Sequence, residues 1–158
     1  MRTNIEKAAL KKQMLTACIA KQQLLIDDFK KRIAALLSTD GLGNEESYDN
    51  NELSNVSSQI EEANAINEAL HFAEDEMNQL MFLQFSGDQL NTQAEQGAVV
   101  ITNAATFFIS VSIEQFRVDR DIFIGLSVFS PLFLAMKGLT AGEKFTYGGR
   151  EYRINDIF

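Results

Sequence analysis

The sequence predicts an α+β protein: an N-terminal antiparallel two-helix coiled coil, then a small antiparallel sheet domain with one short helix. Three observations carry this. Between residues 4 and 85 apolar side chains recur at three- and four-residue spacing, broken once by a polar, glycine- and asparagine-bearing stretch. Beyond residue 97 the apolar residues form short β-branched and aromatic runs separated by turn signals. Among those runs a Ser-Pro pair opens a single helical segment.

The first helical arm runs from about Asn4 to Ser38. Ala8, Leu15, Gln22, Phe29 and Leu36 recur every seven residues, and Cys18 and Leu25 take the companion position, flanked by Lys11 and Arg32. Neither proline nor glycine occurs before Gly41. Lys7, Lys11, Lys12, Lys21, Lys30, Lys31 and Arg32 are expected largely off the seam. Cys18 reads as a packing residue, because no histidine lies near it in sequence to activate a thiolate. The second arm runs from about Asn51 to Phe85, with Leu53, Val56, Ile60, Ala63, Ile66, Leu70, Ala73, Met77, Leu80 and Gln84 on one face. Glu61, Glu62, Glu68, Glu74, Asp75 and Glu76 are expected on the other. His71, the single histidine, has no second histidine or nearby cysteine for a metal site and reads as a structural or surface residue. Each arm spans about 50 Å at the helical rise. A two-helix hairpin is thin, so its base is expected to dock on the other domain.

Between the arms lies Ser38 to Glu52, STDGLGNEESYDNNE. It holds the carboxylates Asp40, Glu45, Glu46, Asp49 and Glu52, with no lysine or arginine. Such a stretch reads as the turn of an αα-hairpin, which puts an acid cluster at the tip. The plainer reading is a solvated loop whose charge serves solubility.

Residues 86–97, SGDQLNTQAEQG, read as a linker. Strands are expected at Ala98–Thr102 and Thr106–Ser112, around an Asn103-Ala104-Ala105 turn. Further strands are expected at Phe116–Val118 and Ile122–Val128, around Asp119-Arg120-Asp121. Ser130 as N-cap and Pro131 at the first helical position open a helix through Lys137, and Gly138 stops it. Glu143–Tyr147 and Arg150–Ile157 form a last hairpin about Gly148-Gly149. The domain boundaries are therefore 1–86 for the coiled coil with its tip at 38–52, 87–97 for the linker and 98–158 for the sheet domain.

The charge distribution restricts function. The net charge is −8, which argues against direct, non-specific binding to a nucleic-acid backbone. Residues 1–39 hold eight Lys/Arg and three acids, residues 40–96 hold thirteen acids and no Lys/Arg, and residues 97–158 hold six of each. A basic first arm and an acidic second arm favour each other as partners, and two acidic arms would repel. No run of apolar residues is long enough to span a bilayer. The N-terminus MRTNIEKAALKKQ lacks a signal-peptide core, and Cys18 has no partner for an internal disulfide. The expectation is a cytoplasmic monomer with no membrane association.

From Ser127 to Ile154 the chain reads SVFSPLFLAMKGLTAGEKFTYGGREYRI. Its skeleton is Ser130-Pro131, Lys137-Gly138, Gly142 before a strand, then Gly148-Gly149 and a strand holding Tyr152. This resembles the C-terminal domain of the bacterial Gre transcript-cleavage factors, GreA and GreB. The resemblance is specific over roughly the last 35 residues and extends to the order of parts and the overall length. It implies an FKBP-like sheet domain behind an antiparallel coiled coil. Gre factors carry a D-x-x-E-N-A-E-Y-like tip; here stand Asp40, then Asn44-Glu45-Glu46-Ser47-Tyr48, with the spacing altered by one residue. Asp40 matches the family's Asp, and either Glu45 or Glu46 matches its Glu.

The resemblance implies a transcription elongation regulator. It would bind RNA polymerase and insert its tip into the secondary channel, touching nucleic acid only through the polymerase. Asp40, Glu45, Glu46 and Asp49 would assist the polymerase's active site, the first three by helping to hold a Mg²⁺ ion there. Carboxylates suit that hard cation, and a two-metal centre hydrolyses phosphodiesters. Tyr48, Ser130, Pro131, Lys137 and Gly138 are the partner-binding candidates. Stimulated cleavage and another modulation of the polymerase remain equal alternatives. The protein would own no active site and no cofactor.

A coiled-coil adaptor with an FKBP-like binding domain is the alternative; it has no need of acids gathered at the apex. A prolyl isomerase would need a pocket built from aromatics such as Phe107, Phe108, Phe123, Phe129 and Phe133, which read more simply as core. Arg117, Arg120, Arg150 and Arg153 are candidates for a small basic patch. A Cys-His-His acyl-transfer site is disfavoured by an inventory of one Cys and one His, and no glycine-rich phosphate loop occurs.

Overall fold

In a computed structural model of the protein, the described residues are 1–38, 50–87 and 89–158. The elements are α1 (Asn4–Leu37), α2 (Asn50–Phe85), β1 (Val99–Thr102), β2 (Thr106–Ser110), β3 (Ile113–Val118), β4 (Asp121–Ser127), α3 (Pro131–Met136), β5 (Lys144–Tyr147) and β6 (Arg150–Ile157). The class is α+β, two long packed helices followed by a six-stranded, mostly antiparallel sheet with a short helix. The chain forms two compact units: Met1–Ala20 with Asn78–Phe158, and Lys21–Met77.

α1 starts at a reciprocal cap. The Glu6 amide donates to Thr3 Oγ1 at 3.2 Å, and the Thr3 amide donates to Glu6 Oε2 at 2.6 Å. Two amides that a helix start leaves without intrahelical partners are thereby satisfied. The Thr3 amide, then its hydroxyl, hold the Glu6 carboxyl below its usual range.

The heptad seam holds only in part. Leu15, Cys18 and Gln22 are buried, and Phe29 and Leu36 are half-buried. Leu25 is 40 % exposed and Arg32 is exposed; Ile26 and Ile33 take their places. Burial therefore recurs at Lys11 and Gln22, followed by the half-buried Ile33, and again at Leu15 and Ile26, in steps of eleven residues. A straight α-helix drifts from a seven-residue repeat by about 20° per heptad, so a fixed heptad register falls behind the facing surface. The expectation that the lysines lie off the seam fails for Lys7 and Lys11, both buried. On α2, Ala63, Leu70, Ala73 and Leu80 are buried as expected, but Leu53, Ile60 and Gln84 are exposed, and Leu83 and Glu76 are buried instead.

In the unit formed by Lys21–Met77, Ile26, Leu70 and Ala73 form the core, with Phe29, Ile33 and Met77 against it. Gln22 is buried and donates its Nε2–H to the Ala73 carbonyl at 2.9 Å. Lys30 and Glu74 make an ion pair between the two helices at 4.0 Å. Such an exposed pair contributes only a few tenths of a kcal/mol and serves partner choice more than stability.

In the other unit the sheet order is β3-β4-β2-β1-β6-β5. One face carries Val99, Phe108, Phe116, Val118, Phe123 and Phe158, packed with Leu10, Met14, Leu15 and Cys18 of α1 and Leu80 and Leu83 of α2. The opposite face carries Val100, Phe107, Ile109, Leu126, Ile154 and Ile157, packed with Phe133 and Met136 of α3 and with Ala94 and Ala98. Phe107, Phe108 and Ile109 go to alternate faces, as a strand requires. The result is three layers: helix bases, sheet, short helix. Full burial of each large apolar side chain here contributes about 1.5–3 kcal/mol.

Three sequence expectations change. The sheet is not wholly antiparallel, because β2 and β4 pair in parallel, Phe107 opposite Ile124 and Ser110 opposite Ser127. β2 ends at Ser110, and the chain crosses over β4 to begin β3 at Ile113, three residues before the expected start. Gly125 makes this crossing possible. A Cβ there would lie 2.7 Å from the Val111 carbonyl oxygen and 2.8 Å from Ile113 Cβ. The segment read as a linker is part of the sheet unit: the Ala94 amide donates to the Leu139 carbonyl at 2.8 Å, and the Gly97 amide to the Ile109 carbonyl at 2.7 Å.

Candidate functional site

The tip candidates Asp40, Glu45, Glu46, Tyr48 and Asp49 lie outside the described residues. The structure describes the helices that the tip segment joins. The Ser38 amide still donates to the Ala34 carbonyl at 3.0 Å, just past the last residue of α1, and α2 begins at Asn50. Residues 21–77 hold four Lys/Arg against thirteen Asp/Glu, a net charge of −9. The sheet unit holds ten against nine. The helical unit thus carries all of the protein's net negative charge. Among the described residues no three His, Cys, Asp or Glu side chains group to hold a metal ion.

The other candidates surround α3. Ser130 caps it, its Oγ accepting from the Phe133 amide at 3.1 Å, and Pro131 takes the first turn, where its missing N–H leaves no gap. Phe133 and Met136 anchor the helix in the core. Lys137 is the C-cap and Gly138 follows at φ +78°, a left-handed conformation suited to glycine. The Gly138 amide donates to the Ala94 carbonyl at 2.8 Å. Ser130 and Gly138 therefore hold the backbone, while Pro131 and Lys137 are exposed beside Phe129 and Leu134, 79 % and 59 % exposed. Phe129 reads from sequence as core; in the structure it lies on the surface.

The five aromatics considered for an isomerase pocket do not gather. Phe108 and Phe123 lie on one sheet face, Phe107 and Phe133 on the other, and Phe129 is exposed. The four arginines do not form one patch either. Arg117 and Arg120 lie on β3 and its turn, at one edge of the sheet, whereas Arg150 and Arg153 lie on β6, beside the other edge strand. Arg150 stacks over Tyr152, its Cζ 5.5 Å from the ring centroid.

One site escaped the sequence reading. Lys11, treated there as a residue flanking the seam, is 8 % exposed. Its Nζ donates to the Gln89 carbonyl at 2.9 Å and to Asn91 Oδ1. Burial lowers its pKa to about 8, against the opposing pull of Glu95. The Glu95 carboxylate is itself held below its usual range, first by the Asn91 amide and then by the Gln93 amide. Lys11 borders two adjoining clefts. One, of about 140 Å³, is lined by Ala8, Lys12, Leu15, Gln84 and Gly87. The other, of about 170 Å³, has apolar walls from Leu15, Phe82, Leu83 and Phe108. The only sequence signal was lysine at a seam-adjacent position; the acceptors come from residues about eighty positions away.

Among the described residues no helix is long and apolar enough to cross a membrane. Comparison of the chain with family profiles, with curated proteins and with solved structures finds no match.

Proposed function

We propose that this protein is a Gre-like transcription elongation regulator, which binds RNA polymerase and inserts its acidic helical hairpin into the secondary channel. The observation that carries the reading is the unit of paired helices bearing the whole net negative charge, with Asp40, Glu45, Glu46 and Asp49 in the segment between α1 and α2. A near-neutral sheet unit that exposes Phe129, Pro131, Leu134 and Lys137 on and beside its short helix supports a protein-docking role for the other part of the chain.

In this reading Asp40, Glu45 and Glu46 supply oxygen ligands to a Mg²⁺ ion shared with the polymerase, and Asp49 adds negative potential beside them. Asp40 with either Glu45 or Glu46 would suffice, because Mg²⁺ prefers one or two carboxylates and retained waters. Held there by Asp40 and Glu45 or Glu46, such an ion would supply activation of water and stabilisation of the leaving oxygen of the transcript. Tyr48 and the α3 surface contact the polymerase.

The test uses backtracked RNA polymerase with an end-labelled transcript. The wild-type protein is expected to shorten the transcript in a Mg²⁺-dependent manner, and the Asp40→Asn/Glu45→Gln/Glu46→Gln variant to lose at least tenfold of that rate, a change of about 1.4 kcal/mol. Binding with slowed elongation and no shortening would identify a channel-occupying modulator. Absence of binding would overturn the polymerase reading in favour of an adaptor.

A further inference from the structure

We propose that Lys11 is a site of covalent acylation by small acyl phosphates, which enter the cleft beside α1. The geometry is that of a positioned amine. A neutral lysine has two N–H bonds and one lone pair, and Lys11 has two protein acceptors, the Gln89 carbonyl and Asn91 Oδ1. With both hydrogens so engaged, the lone pair takes the remaining tetrahedral direction, which no described residue fills with a hydrogen bond. The adjoining cleft of about 140 Å³ accommodates a molecule of a few heavy atoms, since a water takes about 30 Å³. Its wall includes Lys12, an exposed side chain with no ion pair among the described residues. Lys12 supplies positive charge for the phosphate of the donor.

Protonation favours the same residue. At pH 8 about half of Lys11 is the neutral amine, against well under 1 % for an ordinary lysine near 10.4. In the reaction the Nζ lone pair forms a C–N bond to the acyl carbon. The C–O bond to phosphate breaks, inorganic phosphate leaves with the bonding pair, and the surplus proton on nitrogen passes to solvent. Nothing is oxidised or reduced. The amide product keeps one N–H, so it cannot serve both acceptors, and the positive charge is gone. Segment 89–97 then loses one of the contacts that hold it to α1.

The experiment treats the full chain with acetyl phosphate at pH 8 and follows each lysine by peptide mass spectrometry. Lys11 is expected to react initially at least tenfold faster than the exposed Lys21, a preference that disappears in denaturant. Lys12→Ala is expected to slow acetylation of Lys11 several-fold with acetyl phosphate but not with acetic anhydride, which is neutral. Hydrogen exchange of residues 89–97 is expected to quicken in the acetylated protein. Labelling that follows exposure, with Lys11 behind Lys21, overturns the proposal. An equal effect of Lys12→Ala on both donors overturns the role of Lys12.

Discussion

Lys11 shows how one residue's surroundings reverse its usual behaviour. On an exposed helix face it would stay charged to about pH 10.4. Here burial holds its pKa at about 8, so between pH 8 and 10.5 the unfolded chain binds more protons than the folded one. Stability therefore rises with pH through that window, because the cost of burying the charge fades as the folded state loses its proton. The contribution is at most about 3 kcal/mol. Thermal unfolding of wild type and Lys11→Met from pH 7 to 10.5 checks it: the wild type should gain on the variant as pH rises. Gly125 is the second decisive residue. Gly125→Ala brings a Cβ against the Val111 carbonyl and Ile113, both in or beside the crossing backbone, so the neighbours cannot yield cheaply. A loss of about 1–3 kcal/mol in urea unfolding is expected, as for other overpacked sites.

At the scale of elements, local chemistry was legible wherever the signal and its effect lie within a few residues. Ser130-Pro131 predicts the start of α3, and the structure shows the cap hydrogen bond that Ser130 makes three residues on. Ser130→Ala should therefore cost about 1 kcal/mol by the same unfolding measurement. Gly148 and Gly149, at φ +58° and +75°, make the two-residue turn that the sequence indicates between β5 and β6. The helices α1 and α2 were legible with ends within a residue or so, but the buried stripe was not. A seven-residue repeat selects Leu25, and the helix's own 3.6-residue pitch brings Ile26 inward instead. The first three residues of β3 escaped notice because Glu114 and Gln115 dilute the apolar pattern beside an irregularity in its pairing.

Across the whole molecule, burial separates residues that the sequence treats alike. Leu80 and Ile60 occupy equivalent positions in the apolar series of α2, yet Leu80 is fully buried in the core with the sheet and Ile60 is 44 % exposed. Leu80→Ala should cost about 2–5 kcal/mol and Ile60→Ala well under half of that, by chemical denaturation of the full chain. The charge is divided too: the unit of residues 21–77 carries −9, and the sheet unit is near neutral. Added salt should therefore relieve self-repulsion chiefly in the helical unit, an effect read as slower hydrogen exchange in residues 55–77.

The sequence by itself determined the α+β class, the two long helices, the capped short helix, the glycine turn and the gathering of acids between the arms. These follow from side-chain periodicity, turn chemistry and charge, all properties of neighbouring residues. Tertiary structure alone decided that β4 inserts beside β2 in parallel, that residues 89–97 join the sheet unit, that α1 turns Ile26 rather than Leu25 inward, and that Lys11 is buried. Each depends on atoms far away in the chain: the Val111 carbonyl over Gly125, Leu139 on Ala94, Leu70 and Ala73 beside Ile26, and Gln89 and Asn91 on the Lys11 ammonium. A local pattern states which residues can be buried; the surface they meet selects which ones are.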